Sequence, residues 1–282
     1  MHGFVIAAVL CAALMHAGWN VLLKRHAGQA AGGVPTMAIV AGSGLLCAAG
    51  LPFVAAPDAA SWPFIGASAL VQTVYYRLLA ATYRDGDLSH AYPLMRGCAP
   101  PLVALAGLLL GEHLRPGQWL ALGLVCGGVF AIFLDAQRVA RAARRTTLLA
   151  LATACVIASY TLIDGAGVRR SGTAAGYTMW LFALTALALV AQATAVERRA
   201  LLDAARRQPG LLLGGGALSA GSYGIALWAM TLAPVALVAA LRETSILFAA
   251  AIAALVLRER IGRARLLAVV LIACGAAAMR LA

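Results

Sequence analysis

Six ionisable side chains lie deep inside long apolar runs of this 282-residue chain: His16, Arg77, Arg96, Asp164, Arg242 and Glu243. His90 stands near the mouth of another run. Charged groups are expensive in hydrocarbon, and where they persist they mark ligand sites or proton paths by default. Arg96 and Arg242 are 146 residues apart, at equivalent places in two copies of one sequence pattern. Two guanidiniums beside a central cavity could grip a carboxylate or phosphate bidentately. The competing reading is structural: each arginine ties helix ends together through backbone carbonyls, or pairs with Glu243 as scaffold. His16, His90, Asp164 and Glu243 are the groups that could carry a proton.

Aromatic and amide side chains gather in the same runs. His16, Trp19 and Asn20 fall on one side of the first run, because residues three or four apart share a helix face. Gln72, Tyr76 and Arg77 lie in the third, with Tyr75 beside them and Tyr83 one or two turns on. Tyr92, Tyr160, Tyr223 and Trp228 occur in later runs. Rings with a few polar anchors describe a small-molecule pocket. The expected substrate-binding set is therefore His16, Trp19, Asn20, Gln72, Tyr76, Arg77, Tyr83, Tyr92, Arg96, Tyr160, Tyr223, Trp228, Arg242 and Glu243. Any single ring also serves in packing or at the membrane interface, and Trp62, Trp119 and Trp180, near run edges, are read as interface anchors.

Catalytic readings find little support. Gly42-Ser43-Gly44 and Ser219-Ala220-Gly221 resemble the small-residue setting of an intramembrane serine nucleophile, which also needs a histidine base within reach. Only His16 and His90 are deep enough, and neither sits in a distinctive motif. The sequence contains no HExxH, no paired aspartates in apposed runs and no nucleotide-binding glycine loop. Its six cysteines lie in apolar runs without a CxxC pair and behave as small core residues. No catalytic residue, metal or cofactor is expected.

The composition fixes the solvent these groups must be held in. The chain is 63% apolar and 11% charged, with a mean hydropathy of +0.89, whereas soluble domains carry roughly 25% charged residues. Uncharged runs of about 18 residues or more recur, each long enough to cross a hydrocarbon core of about 30 Å as a helix. A spanning β-barrel would alternate in short segments instead. The net charge of +12 resides in short loops, which suits anionic lipid headgroups better than nucleic acid. The first run, Phe4 to Leu23, has no basic region before it and continues into Lys24-Arg25, so it reads as a retained span.

Ten spans are expected, at about 4–23, 34–55, 62–83, 88–110, 117–135, 147–165, 174–195, 210–232, 235–257 and 265–281, with connections of a few residues. The pattern repeats: Glu112 matches Glu259 and Gly128 matches Gly275, each 147 residues later. A basic segment, Arg138 to Arg145, separates repeat one (1–137) from repeat two (146–282) within one membrane domain. Five spans per repeat is an odd number, so the second half enters the membrane from the other side. The expected fold is thus an all-α polytopic membrane protein, ten helices in two inverted repeats around a central cavity.

Odd-numbered loops hold fifteen lysines and arginines, against four in the even loops and tail. The bias places the odd loops in the cytoplasm and both termini outside. Pro93, Pro100 and Pro101 should bend span 4. Gly123 and Gly127 form a close-packing motif, with a monomer or weak homodimer expected. Glu112 and Glu259 are read as structural, each favouring the N-terminus of the helix that follows it.

With that pattern in hand, the chain resembles the EamA-type drug/metabolite transporters. The resemblance rests on HAGWNVLLKR at 16–25, DLSHAYPLMRGCAPPLVALAGLLLGEHL at 87–114, GQWLALGLVCGGV at 117–129 and RERIGRARLLAVVLIACGAA at 258–277. It covers nearly the whole length. It implies a ten-helix inverted-repeat basket with a cavity lined by spans 1, 3, 4, 6, 8 and 9, and export of small metabolites. One branch of the family exports amino acids, aromatic ones included. The chain departs in its second glutamate, set in Arg258-Glu259-Arg260 rather than after glycine, and in the Pro100-Pro101 pair. The expected function is inner-membrane export of small metabolites, amino acids foremost, by alternating access. Organic phosphates, phosphonates or nucleotide sugars are the alternative cargo. An intramembrane enzyme or a lipid scramblase is the alternative of another class.

Overall fold

The computed structural model describes residues 3–26, 33–85, 88–109, 111–139, 144–256 and 263–281, and every regular element among them is a helix. The first half contributes α1 (Gly3–His26), α2 (Val34–Gly50), α3 (Trp62–Asp85), α4 (Leu88–Leu109) and α5 (Pro116–Val139). The second contributes α6 (Arg144–Val168), α7 (Ala174–Ala191), α8 (Ala195–Arg207), α9 (Gly215–Met230), α10 (Val235–Arg242), α11 (Ser245–Val256) and α12 (Arg263–Leu281). A wide π turn, Gly210–Gly214, leads into α9. In lipid every backbone polar group must be satisfied within the chain, which is why apolar runs of this length become helices. Seven stretches among the described residues are long and apolar enough to cross a membrane. The remaining three expected spans fall short of that length: Leu94–Leu109 and Leu266–Met279 are shorter, and the ninth is divided between α10 and α11.

The core runs through the middle of the bundle. Ile65, Val103, Val125, Tyr177, Leu181, Leu227, Leu237 and Leu241 are among its buried side chains. α6 packs on α3 and α4, α1 on α9, α10 and α11, α2 on α7 and α9, α3 on α7, and α5 on α4 and α12. Several crossings are close enough to demand glycine, and at two of them both helices contribute one. A Cβ on Gly42 of α2 would overlap the Leu212 carbonyl, and one on Gly216 would meet the Gly42 backbone at 2.6 Å. The Gly42-Ser43-Gly44 stretch is thus a packing surface, and the Ser43 hydroxyl donates to Ile39 O at 2.7 Å. At the α5–α12 crossing, a Cβ on Gly128 would lie 2.7 Å from Ile272 and one on Gly275 would lie 2.6 Å from Val125.

Four sequence expectations change here. A Cβ on Gly123 or Gly127 would meet nothing within 4 Å among the described residues; the contact passes to Gly128, one residue on and about 100° around the helix. Residues 195–207 were expected in a short connection, yet they form α8. Its start is a capping box: Thr194 Oγ1 accepts from Glu197 N at 3.2 Å, and Glu197 Oε2 accepts from Thr194 N at 2.7 Å. α4 remains helical through Pro100 and Pro101, and a break that the sequence did not lead one to expect falls at Glu243–Thr244, between α10 and α11. Glu112 serves a different helix from the one that follows it. Its carboxylate accepts from Val235 N, at the start of α10, at 3.2 Å, where the positive end of the helix dipole favours an anion. Glu259 lies outside the described residues.

Candidate functional site

Helices α1, α3, α4, α6, α7, α9 and α10 converge on an interior cavity lined by His16, Trp19, Gln72, Tyr75, Tyr76, Arg96, Tyr160, Phe182, Ser219, Tyr223 and Arg242. Its walls are aromatic, with ring centroids 4.9 Å apart for Tyr75 and Tyr76, 5.6 Å for Tyr75 and Tyr160, and 6.1 Å for Tyr160 and Tyr223. The enclosed space is about 40 Å³, room for a water or two. Sites for small organic ligands usually offer about 300 Å³ or more. The cavity is too small for such a ligand in this state.

Arg96 and Arg242 are both buried, but they are not equivalent. Arg96 pairs with Glu243 across the two halves: Nε lies 2.9 Å from Oε2 and Nη2 lies 2.8 Å from Oε1. Such a two-point contact uses the guanidinium fork on a carboxylate the protein itself supplies. Arg242 lies with its Cζ 4.9 Å over the ring of Tyr223, a cation–π contact. Its buried Nε has no hydrogen-bond partner among the described residues. The reason for the asymmetry is in the sequence: Glu243 follows Arg242, whereas the equivalent place after Arg96 is Gly97.

Two further hydrogen bonds fix the polar character of the wall. Trp19 Nε1 donates to His16 Nδ1 at 3.2 Å. Indole nitrogen only donates, so the bond assigns His16 the tautomer protonated at Nε2. Behind the wall lies Asp164, wholly buried. Its carboxylate accepts from Tyr223 Oη at 2.6 Å, Tyr177 Oη at 2.9 Å and Gln72 Nε2 at 3.2 Å.

The structure brings together eight of the expected binding residues: His16, Trp19, Gln72, Tyr76, Arg96, Tyr160, Tyr223 and Arg242. It places four elsewhere. Glu243 stands behind the cavity on Arg96, and Asn20 donates to the His16 carbonyl at 2.8 Å, holding α1. Arg77 pairs with Glu197 of α8 at 3.1 Å. Trp228 packs edge-on to Phe4, with centroids 5.7 Å apart. The side chains of Tyr83 and Tyr92, and of His90, lie outside the described residues. The expected set lacked Tyr75, Phe182 and Ser219, which also line the cavity. Tyr75 was legible as a neighbour of Tyr76, whereas nothing in the sequence distinguishes Phe182 from core phenylalanine.

A second hollow of about 350 Å³ opens near Val168, Arg169, Gly172, Thr173, Ala174, Trp228 and Thr231. It is larger, but its arginine is already engaged. Arg169 donates to Met230 O at 2.8 Å, to Ala233 O at 3.0 Å and to Glu112 Oε1 at 2.6 Å. The hollow is a vestibule beside a clamp rather than a polar binding site.

Residues 144–281 match the model of the EamA-like transporter family. The chain carries an EamA-like transporter domain. That match over residues 144–281 and the seven helices long and apolar enough to cross a membrane together indicate a multi-pass membrane protein. No curated protein matches the sequence. Sixteen chains of solved structures do match. One, a crystal structure, has a TM-score of 0.72 at 18% identity, over 100% of this chain and 98% of that one. At that identity the likeness concerns the fold alone.

Proposed function

We propose that this protein is an inner-membrane exporter of small metabolites, amino acids foremost, that works by alternating access. The observation that carries this reading is Arg242: a buried guanidinium facing an aromatic cavity, its Nε without a partner while its counterpart Arg96 is neutralised by Glu243. One such cation suits one carboxylate. Arg242, with the His16 Nε2–H donor, holds that carboxylate, and the rings of Trp19, Tyr75, Tyr76, Tyr160, Phe182 and Tyr223 hold an apolar or aromatic side chain. A phosphate dianion would call for both guanidiniums, and the Arg96–Glu243 pair speaks against that cargo. Nothing in the site calls for a metal or cofactor, and we assign it no catalysis; the partners of this reading are the substrate and the bilayer, with the protein a monomer or weak homodimer.

The same proposal takes the chain as one domain of ten spans, with α10 and α11 as the ninth, in two inverted five-helix repeats. Helix neighbours support it, because they occur in pairs that exchange under a five-span shift. Span 3 on span 6 (α3 on α6) has its mate in span 8 on span 1 (α9 on α1). Span 4 on span 6 has its mate in span 9 on span 1, and span 2 on span 8 in span 7 on span 3. The basic odd loops then face the cytoplasm and both termini lie outside.

Purified protein in liposomes preloaded with labelled amino acids tests the reading. Selective efflux from wild type, abolished by Arg242→Ala in a folded protein, is the expected result. Absence of any efflux from folded wild type, or competition by inorganic phosphate, would overturn it.

A further inference from the structure

Among the described residues two acids are buried in the bundle, and one of them has a counter-ion. Glu243 is matched by Arg96. Asp164 is 0% exposed and takes its hydrogen bonds from neutral donors on three other helices: Gln72 of α3, Tyr177 of α7 and Tyr223 of α9. No ion pair to Asp164 occurs among the described residues. Among the described residues the charged groups on the helices packed against α6 are elsewhere engaged: Arg77 on α3 pairs with Glu197, Arg96 on α4 holds Glu243, and Arg242 on α10 lies over the Tyr223 ring, while the other polar groups beside Asp164, the Ser68 and Tyr160 hydroxyls, are neutral. A carboxylate sealed in a membrane protein among neutral donors is one whose charge a bound proton can cancel, because no cation beside it does so.

We propose that Asp164 is the proton-binding site through which a pH gradient drives transport. The inference rests on the transport reading above and adds to it the coupling ion. The geometry supplies both a route and a consequence. Tyr223 lines the cavity and donates to Asp164 Oδ2, so one hydroxyl separates cavity water from the carboxylate. On the other side Tyr177 donates to Oδ1 and reaches Gly167, the residue before Val168 of the vestibule wall. Three donors converge on two oxygens. Oδ2 already accepts from both Tyr223 and Gln72, so a proton that arrives from water and bonds to Oδ2 takes one of its acceptor sites and displaces or weakens one of those two bonds. Where the bond lost is Tyr223's, the ring beneath Arg242 is released from its anchor on Asp164, and proton binding is felt at the substrate's cation. Sodium is the rival ion, but the groups around Asp164 direct hydrogens toward it, and Gln72 presents its amide nitrogen rather than its oxygen.

The test uses wild type and Asp164→Asn in liposomes, with the amino acids that wild type releases as probes. Two readouts are taken: tracer counterflow at equal pH on both sides, and accumulation driven by a pH gradient. Wild type is expected to do both. Asp164→Asn is expected to keep counterflow within about two-fold and lose gradient-driven accumulation, with accumulation restored in Asp164→Glu. Absence of wild-type counterflow would defeat the transport reading. Counterflow that ignores the pH gradient, or follows a sodium gradient instead, would defeat the proton site alone. Infrared difference spectra of wild type between acidic and alkaline buffer give a readout independent of the variant's folding. A protonated-carboxyl carbonyl band is expected to appear at acidic pH, and its absence from wild type would overturn the assignment.

Discussion

Arg96 and Glu243 illustrate how a buried ion pair divides the labour of two otherwise equivalent residues. Both side chains are at most 9% exposed, so each charge depends on the other for its solvation. Removing one partner strands the other, which typically costs about 3–5 kcal/mol, whereas replacing both by apolar groups of similar size is often near neutral. Glu243→Gln and Arg96→Met are therefore each expected to lower the unfolding midpoint strongly in detergent. The double variant Arg96→Met/Glu243→Leu should recover most of the loss. Additive losses in the double variant would show that the two charges do not stabilise one another. The sequence revealed both arginines and their equivalence, and raised a pairing with Glu243 as the structural alternative. It did not choose between gripping substrate and gripping Glu243, because that depends on which side chains face each other across helices 147 residues apart in sequence. Asp164 was legible as an intramembrane acid, but Tyr177, 13 residues on, became its partner only through the turn between α6 and α7.

Helix α8 shows the same limit one scale up. Read as composition, 195–207 is a basic connection; the signal that it is a helix is the Thr194-x-x-Glu197 capping box, which composition obscures. Leu201 docks against the bundle, and Arg198, Arg199, Arg206 and Arg207 are exposed. Hydrogen bonding to Thr194, chiefly to its backbone N–H, holds the Glu197 carboxyl below the usual range, and Arg77 adds to this. A depressed carboxyl stabilises the folded form above its unfolded pKa and loses that contribution as pH falls through the folded one. Hydrogen exchange of α8 amides, corrected for the intrinsic rate, should thus quicken only below the ordinary glutamate range. Thr194→Ala should weaken α8 locally by about 1 kcal/mol at neutral pH. Protection that is unchanged in Thr194→Ala would mean that docking of Leu201, rather than the box, holds the helix. Most other helices were legible from apolar run length alone, since in lipid that length and the absence of charge decide the matter. The break at Glu243–Thr244 was not, because no proline marks it.

At the scale of the molecule, a cavity of about 40 Å³ cannot admit an amino acid, so transport requires at least one face of the bundle to open. Where the turns after α4, α6 and α9 meet, a specific clamp joins the helix ends. Arg169 at the end of α6 donates to the carbonyls of Met230 and Ala233 after α9, and to Glu112 after α4. Glu112 in turn accepts from Val235 N at the start of α10. One guanidinium and one carboxylate thereby tie together the ends of four helices from both halves. Each bond is worth little where solvent reaches it, which suits a contact that must break and reform in every cycle. Arg169→Ala should shift the population toward a state open at these helix ends. In a cysteine-free background carrying Ser219→Cys in the cavity wall, a membrane-impermeant maleimide applied to the even-loop side should label several-fold faster once Arg169 is removed. Faster labelling from the opposite side, or no change from either, would mean that the clamp fastens loops without closing the path to the cavity.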